Sequence, residues 1–153
     1  MELFVAKKIL ISACLLGKEC RYDGRHSKLH NLSNSNVEWI SVCPEELGEL
    51  GTPRPPAEKQ KNGRILTKSG NDVTEKFNNG AREALKIAVD NKCEMAILKS
   101  KSPSCGKGEI YDGTFSNILV NDDGVFTKLC KKNDIEVISS NEIDIIEEII
   151  NPL

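Results

Sequence analysis

The chain has 153 residues, which is long enough to bury the core of one domain and too short for two. Its 21 basic and 23 acidic residues nearly cancel, and no basic block carries interleaved aromatic side chains, which argues against polymeric nucleic acid as a partner. No apolar run approaches the roughly 20 residues of a membrane span, so we expect a soluble protein that does not enter membranes.

The first half of the chain contains two predicted strands and little regular structure between them. Apolar runs predict strands over residues 8–11 and 37–42, and the polar stretch 17–36 predicts a long loop or a broken helix. A proline and a glycine bracket a predicted short helix over 44–48, and residues 63–67 fit a short hairpin arm.

The second half alternates helices with strands. Asp72 and Glu75 have the spacing of a capping box, and apolar residues then recur at helical intervals until about residue 91. The elements predicted after this helix are a strand over 94–99, a polar loop over 100–113, a helix over 125–133, a strand over 135–138 and a final helix from 143. This alternation predicts an α/β fold class: a single compact domain over residues 1–153, with a mainly parallel sheet flanked by helices in a Rossmann-like, three-layer arrangement.

Three cysteines each follow a predicted strand. Cys14, Cys43 and Cys105 stand just after the apolar runs 8–11, 37–42 and 95–98. If those strands are parallel neighbours, the three thiols converge on one crevice at the carboxyl edge of the sheet, where α/β proteins bind ligands. Three soft sulfur ligands there suggest a cofactor. The alternative is that all three are buried, unreactive thiols.

The remaining cysteines give weaker signals. Cys93 at a helix-to-strand turn and Cys130 among the apolar positions of a helix are interpreted as core residues, whereas Cys20 is ambiguous. The chain is too large and too regularly patterned to need disulfides as staples, and it contains no Cys-x-x-Cys motif. A reducing cytoplasm therefore fits best.

Two further patterns have both a functional and a structural interpretation. His26 and His30 have the i, i+4 spacing of metal ligands on a helix, but their Ser- and Asn-rich surroundings favour solvated loop residues. Glu45, beside Cys43, is either a favourable charge in the first turn of a helix or a carboxylate placed to exchange protons with something bound at the thiol.

A series of motifs follows in order along residues 9–140: Ser12-Ala13-Cys14-Leu15-Leu16-Gly17, Arg21-Tyr22-Asp23-Gly24, Cys43-Pro44-Glu45, Pro53-Arg54-Pro55-Pro56-Ala57-Glu58, Asp72-Val73-Thr74, Lys101-Ser102-Pro103-Ser104-Cys105-Gly106 and Ile110-Tyr111-Asp112-Gly113-Thr114-Phe115. Together these motifs resemble the DUF523 family, whose characterised members are thiouracil desulfidases.

The resemblance implies a [4Fe-4S] cluster held by Cys14, Cys43 and Cys105, with its fourth iron left open. That iron would bind the sulfur of a small-molecule thio-base, and water would then replace the sulfur without any redox change. Within the same motifs, Glu45 would act as general acid and base, and Ser102 would orient substrate or water.

For four other motif residues a functional and a structural interpretation remain equally open, and none of them is predicted to be catalytic. Arginine–carboxylate pairing that pins loops would account for Arg21, Asp23, Arg54 and Asp112. Two alternatives to the enzyme remain open: a non-catalytic Fe–S or metal sensor that uses the same three cysteines, and a thiol redox protein that uses Cys14 and Cys20.

Overall fold

A computed structural model describes residues 7–30, 32 and 36–151. Its strands are β1 (Lys7–Ser12), β2 (Val37–Val42), β3 (Ala57–Lys59), β4 (Ile65–Thr67), β5 (Met95–Leu98), β6 (Glu109–Tyr111), β7 (Leu119–Asn121) and β8 (Glu136–Ser139). Its helices are α1 (Pro44–Leu47), α2 (Thr74–Asp90), α3 (Val125–Lys132) and α4 (Ile143–Ile150), and a 3-10 turn at Ala13–Leu16 follows β1.

The core of the fold is a four-stranded parallel sheet in the order β2-β1-β5-β8. Ile9, Leu10 and Ile11 in β1 are fully buried. A continuous apolar run is expected for a strand that is covered on both faces, because side chains then meet protein on either side of the sheet. The predicted strands at 8–11, 37–42, 94–99 and 135–138 are confirmed to within two residues at each end.

Helices cover both faces of this sheet. On one face Leu10 packs with Ala81 of α2 and Phe126 of α3. On the other face Ile11 packs with Ile146 of α4 and with residues of the segment that follows β1. The predicted α/β fold class, a single domain with three layers, is thereby confirmed.

Two short antiparallel arms extend from the sheet, one formed by β3 and β4 and the other by β6 and β7. The hairpin arm predicted at 63–67 is confirmed as β4. The other three strands of these arms were not predicted, because each has only three residues and shows no clear alternation of apolar and polar side chains. The loop predicted over 100–113 therefore contains β6.

Residues 17–36 are irregular where they are described, as the sequence predicts. His26 and His30 are exposed and lie outside any helix, which confirms them as solvated loop residues. Residues 31 and 33–35 of the predicted loop lie outside the described part. Within residues 7–30, 32 and 36–151, no helix has the length and apolar character needed to cross a membrane.

The short helix α1 is seated on α2 by a direct contact between backbones. A Cβ added at Gly80 would lie 1.8 Å from the carbonyl oxygen of Pro44, and one added at Gly48 would lie 2.1 Å from that of Lys76. Only glycine permits such an approach. This contact fixes the position of the residues that α1 carries, including Glu45.

Candidate active site

A cavity of about 650 Å³ lies at the carboxyl ends of β1, β2 and β5. Its wall contains Cys14, Cys43 and Cys105, so the structure brings together the three thiols that the sequence places after separate strands. Cys14 and Cys105 are buried and Cys43 is half-buried. The volume is within the range of about 300–1,000 Å³ that is usual for small-molecule sites.

Each thiol reaches the cavity from a different local structure. Cys14 lies in the 3-10 turn after β1, and Cys43 directly precedes α1, which begins with Pro44 at a position where a missing N–H costs nothing. Cys105 lies in the loop between β5 and β6. These three connections meet because parallel strands direct their carboxyl ends to the same edge.

The start of α3 holds the Cys105 loop in place. Phe126 donates its backbone N–H to the carbonyl of Ser104 at 2.9 Å, and the Thr127 hydroxyl donates to the carbonyl of Cys105 at 2.8 Å. The first N–H groups of a helix have no partner within the helix, so loop carbonyls satisfy them here. The first turn of α3 consequently helps to fix the position of this loop.

Ser102 and Glu45 meet inside the cavity. The Ser102 hydroxyl oxygen accepts the backbone N–H groups of Ser104 at 3.1 Å and Cys105 at 3.0 Å, and the hydroxyl donates to Glu45 Oε1 at 3.4 Å. With its oxygen occupied by two donors, the hydroxyl proton is directed at the carboxylate. The two candidate catalytic residues are thus linked to each other and to the backbone of Cys105.

Arg54 holds the other oxygen of the same carboxylate. Its Nε donates to Glu45 Oε2 at 2.9 Å and its Nη2 contacts the same oxygen, while Nη1 donates to the carbonyl of Gly51 at 2.9 Å. The Arg54 side chain is only 7% exposed and that of Glu45 is 16% exposed. The arginine–carboxylate pairing predicted for Arg54 is confirmed, and its partner is the candidate catalytic acid.

Three further motif residues are candidates for such pairing, namely Arg21, Asp23 and Asp112. Arg21 lines the cavity and pairs with Asp23 at 3.3 Å. Asp112 accepts the backbone N–H of Thr114 at 2.9 Å and the hydroxyl of the same residue at 2.6 Å. Asp23 therefore has the predicted arginine partner, whereas Asp112 closes a local turn.

Cys20 also lines the cavity, although the sequence leaves its role ambiguous. It is only 2% exposed. A hydrogen bond to Cys14 raises the pKa of Cys20 to about 11, with burial adding to the effect and a hydrogen bond from Cys43 opposing it. The one sequence signal that marks Cys20 is its position in the stretch between the first two family motifs, six residues after Cys14.

Two of the proposed cluster ligands, Cys43 and Cys105, have raised pKa values. Burial raises the pKa of Cys105 to about 12, and the hydrogen bond to Cys20 together with burial raises the pKa of Cys43 far above its usual range. Metal ions bind thiolates, so loading of a metal group here releases protons. Half-buried Lys99, directly after β5, has a pKa lowered by its partial burial and places a positive charge near Cys14 and Cys105.

Cys93 and Cys130 do not reach the site. Both are buried in the core cluster between the sheet and helices α2 and α3, which confirms their interpretation as core residues. All six cysteines are free thiols, so the structure contains no disulfide among them.

Comparison with known proteins identifies relatives that match nearly the whole chain. A family model described as 2-thiouracil desulfurase matches residues 9–142. The uncharacterized protein YbbK of Bacillus subtilis strain 168 is 43% identical over 148 residues, a match that covers 89% of this chain and 97% of that protein. The solved structure of the [4Fe-4S]-dependent thiouracil desulfidase TudS has a TM-score of 0.83 and 38% identity, covering 90% of this chain and 93% of that one.

Proposed function

The chain belongs to the 2-thiouracil desulfurase family, and from this premise we propose that it is an enzyme that hydrolyses the C–S bond of thiolated nucleobases. Thiouracil and water give uracil and hydrogen sulfide, with no change of oxidation state. The observation that carries the proposal is the hydrogen bond between Ser102 and Glu45 inside the cavity lined by Cys14, Cys43 and Cys105.

We propose Cys14, Cys43 and Cys105 as the ligands of a [4Fe-4S] cluster. The donor set fits, because cysteine thiolates are the usual ligands of such clusters and these three line one cavity. TudS, to which the chain is similar, depends on the same kind of cluster. When bound through three cysteines, a cluster supplies one iron without a protein ligand, which is a Lewis acid toward the soft sulfur of a thiocarbonyl.

Glu45 is the group proposed to move protons. Arg54 holds Oε2, whereas Oε1 faces the hydroxyl of Ser102. Oε1 is therefore the atom that takes a proton from the attacking water and returns it to the departing sulfur. The guanidinium group of Arg54 keeps the carboxylate in one orientation during the reaction, because Nε and Nη2 of Arg54 both contact Oε2.

Ser102 is proposed to orient the carboxylate that exchanges protons with the water. Its oxygen is anchored by the backbone of Ser104 and Cys105, so the hydroxyl has little rotational freedom. Catalytic hydrogen bonds are often long before substrate binds, and the 3.4 Å separation from Glu45 is consistent with this.

Aromatic side chains complete the proposed substrate site. Tyr111 and Phe115 line the cavity, and a planar pyrimidine ring stacks favourably against aromatic side chains. The carboxylate of Glu58 accepts the backbone N–H groups of Gly113 at 3.0 Å and Phe115 at 3.1 Å, which fixes the loop that carries Phe115. A small heterocycle is thus the substrate class that fits, and the six free thiols favour the reducing cytoplasm as its compartment.

The test is anaerobic reconstitution with iron and sulfide, followed by incubation with 2-thiouracil or 4-thiouracil. We expect cluster absorbance and stoichiometric release of sulfide and uracil. The variants Cys14→Ser, Cys43→Ser and Cys105→Ser should each lose both, whereas Cys93→Ser, in the core, serves as the matched control. If the protein binds the complete cluster but releases no sulfide from a panel of thio-bases, the proposed activity is wrong. The proposed cofactor would still be supported.

A non-catalytic Fe–S sensor is the second candidate. It would need the same cysteines but no carboxylate held between an arginine and a serine beside them. The contacts of Glu45 with Arg54 and Ser102 therefore favour an enzyme. Replacing Glu45 separates the two, since a sensor would keep its function and its cluster.

A further inference from the structure

We propose that the chain has a second metal site, in which Cys20, Cys43 and Glu46 bind a single thiophilic divalent cation of the zinc class when the cluster is absent. The two sulfurs and a carboxylate oxygen of Glu46 all lie within 4.8 Å of one another. Cys20 and Glu46 have no role in the proposed function, so this site is separate from the cluster ligands except for the shared Cys43.

The spacing of these atoms fits one ion. Zinc is bound tetrahedrally with Zn–S distances of about 2.3 Å, which places two thiolate sulfurs on one ion about 3.8 Å apart. A carboxylate oxygen on the same ion lies slightly closer to each sulfur, because its bond to zinc is about 2.1 Å. The ligand atoms of Cys20, Cys43 and Glu46 need only small side-chain movements to reach this arrangement.

The surrounding structure already positions the ligands. Cys43 and Glu46 are three residues apart across the start of α1, a spacing that brings their side chains to one side of the turn. Thr52 donates its hydroxyl to Glu46 Oε2 at 2.6 Å, and Lys18 pairs with Oε1 at 2.8 Å. Such outer hydrogen bonds orient metal-binding carboxylates. The Lys18 side chain is 61% exposed and is free to turn into solvent, which releases Oε1.

Neither of the other two cavity thiols belongs to this set. Cys14 hydrogen-bonds to Cys20, but its sulfur is not among the ligand atoms that lie within 4.8 Å of one another, and neither is that of Cys105. The single-ion site and the proposed three-cysteine site therefore share Cys43 alone. The single-ion site adds Cys20 and Glu46, whereas the three-cysteine site adds Cys14 and Cys105.

It follows that the two metal groups exclude each other. A zinc-class ion on Cys43 occupies a thiolate that the cluster requires, and a loaded cluster removes Cys43 from the single-ion site. This competition rests on the proposed function, whereas the single-ion site itself does not.

The test is a titration of the reduced, chelator-treated full chain with Co²⁺, whose thiolate charge-transfer absorption reports sulfur ligation. We expect one equivalent to bind and Zn²⁺ to displace it. Cys20→Ser and Glu46→Gln should each weaken binding by at least about 10-fold, a loss that even outer-shell changes produce at metal sites. Cys105→Ser and the neighbouring Glu45→Gln are the matched controls and should bind Co²⁺ like the unmodified chain. Because Glu46 is only partly buried, its variant tests the site without disturbing the core.

The site is refuted by sub-stoichiometric binding, by binding that survives Cys20→Ser and Glu46→Gln, or by an equal loss in Cys105→Ser. Reconstitution of the [4Fe-4S] cluster in the same variants tests the proposed function independently of the single-ion site. Cys20→Ser should take up the cluster and Cys105→Ser should not, and Zn²⁺ added first should block loading in the unmodified chain. If no variant takes up a cluster while the Co²⁺ pattern holds, the proposed function fails and the single-ion site stands.

Discussion

The hydroxyl of Ser102 donates to Glu45 Oε1 at 3.4 Å, although the two residues are 57 positions apart. Ser102 belongs to the loop after β5 and Glu45 to the first turn of α1. Two connections of one sheet edge are joined by this contact, and a third contributes Cys14.

Replacing Glu45 should remove turnover without removing the cluster. Glu45→Gln keeps the size of the side chain but cannot accept a proton, so we expect sulfide release to fall by at least about 100-fold. Cluster absorbance after anaerobic reconstitution should be unchanged. Glu49→Gln, at an exposed position after α1, is the control and should retain activity. Normal turnover in Glu45→Gln would exclude the carboxylate as the acid and base.

Replacing Ser102 should lower kcat more than it raises KM. Ser102→Ala leaves the backbone N–H groups of Ser104 and Cys105 without their acceptor and frees Glu45 Oε1. We expect kcat for thiouracil to fall by about 10-fold to 100-fold, because positioning is lost while the carboxylate remains. Steady-state kinetics on the reconstituted protein measure both constants. Ser41→Ala, on the exposed side of β2, provides the comparison, and equal kinetics in the two variants would contradict the role of Ser102.

The buried pair of Arg54 and Glu45 should matter far more for stability than an exposed pair does. Arg54→Ala leaves a largely buried carboxylate without its partner, and the free energy of unfolding should drop by about 3 kcal/mol. The matched control is Arg64→Ala, whose pair with Asp72 is about half exposed and should contribute little to stability. Urea unfolding of the two variants measures the difference. If Arg54→Ala and Arg64→Ala lose similar amounts of the free energy of unfolding, burial does not explain the contribution of the Arg54–Glu45 pair.

The close contact at Gly80 should make an otherwise favourable substitution harmful. Alanine in place of glycine normally stabilises a helix by about 1 kcal/mol. In Gly80→Ala the new methyl would lie 1.8 Å from the carbonyl oxygen of Pro44, so α1 must move away from α2. We expect a lower midpoint in urea and a lower rate of sulfide release, since Glu45 moves with α1. Asn79→Ala, exposed on the same helix, should do neither.

Asp122 should make the fold sensitive to acid. Burial opposes ionisation of this carboxyl, but hydrogen bonds from Lys128 and Lys59 outweigh it and lower the pKa of Asp122 to about 2. A carboxyl whose pKa is lower in the folded state than in the unfolded state adds stability above the unfolded value of about 3.9. That contribution is lost as the pH falls from about 4 through 2. Urea unfolding across this range should show a steeper loss in the unmodified chain than in Asp122→Asn, and identical slopes would contradict the assignment.

The elements of the sheet and its helices could be predicted from the sequence because their signals are local. β1 is a continuous apolar run, and α2 has apolar residues at helical intervals, so each element could be recognised without knowing its neighbours. The position of Cys14, Cys43 and Cys105 after strands also follows from local pattern. The three-residue strands β3, β6 and β7 could not be predicted from the sequence, because they are defined only by pairing with a partner strand.

What the sequence determined by itself is the set of groups available at one edge of a parallel sheet: three thiols after three strands, with a carboxylate beside the second. Only the tertiary structure decided which of these groups touch. It paired Glu45 with Arg54 and Ser102, and it brought Cys20 to within 4.8 Å of Cys43 and Glu46. The physical reason is that loop paths depend on packing between distant elements, as at Gly80 and Pro44, and such contacts have no periodic signal along the chain.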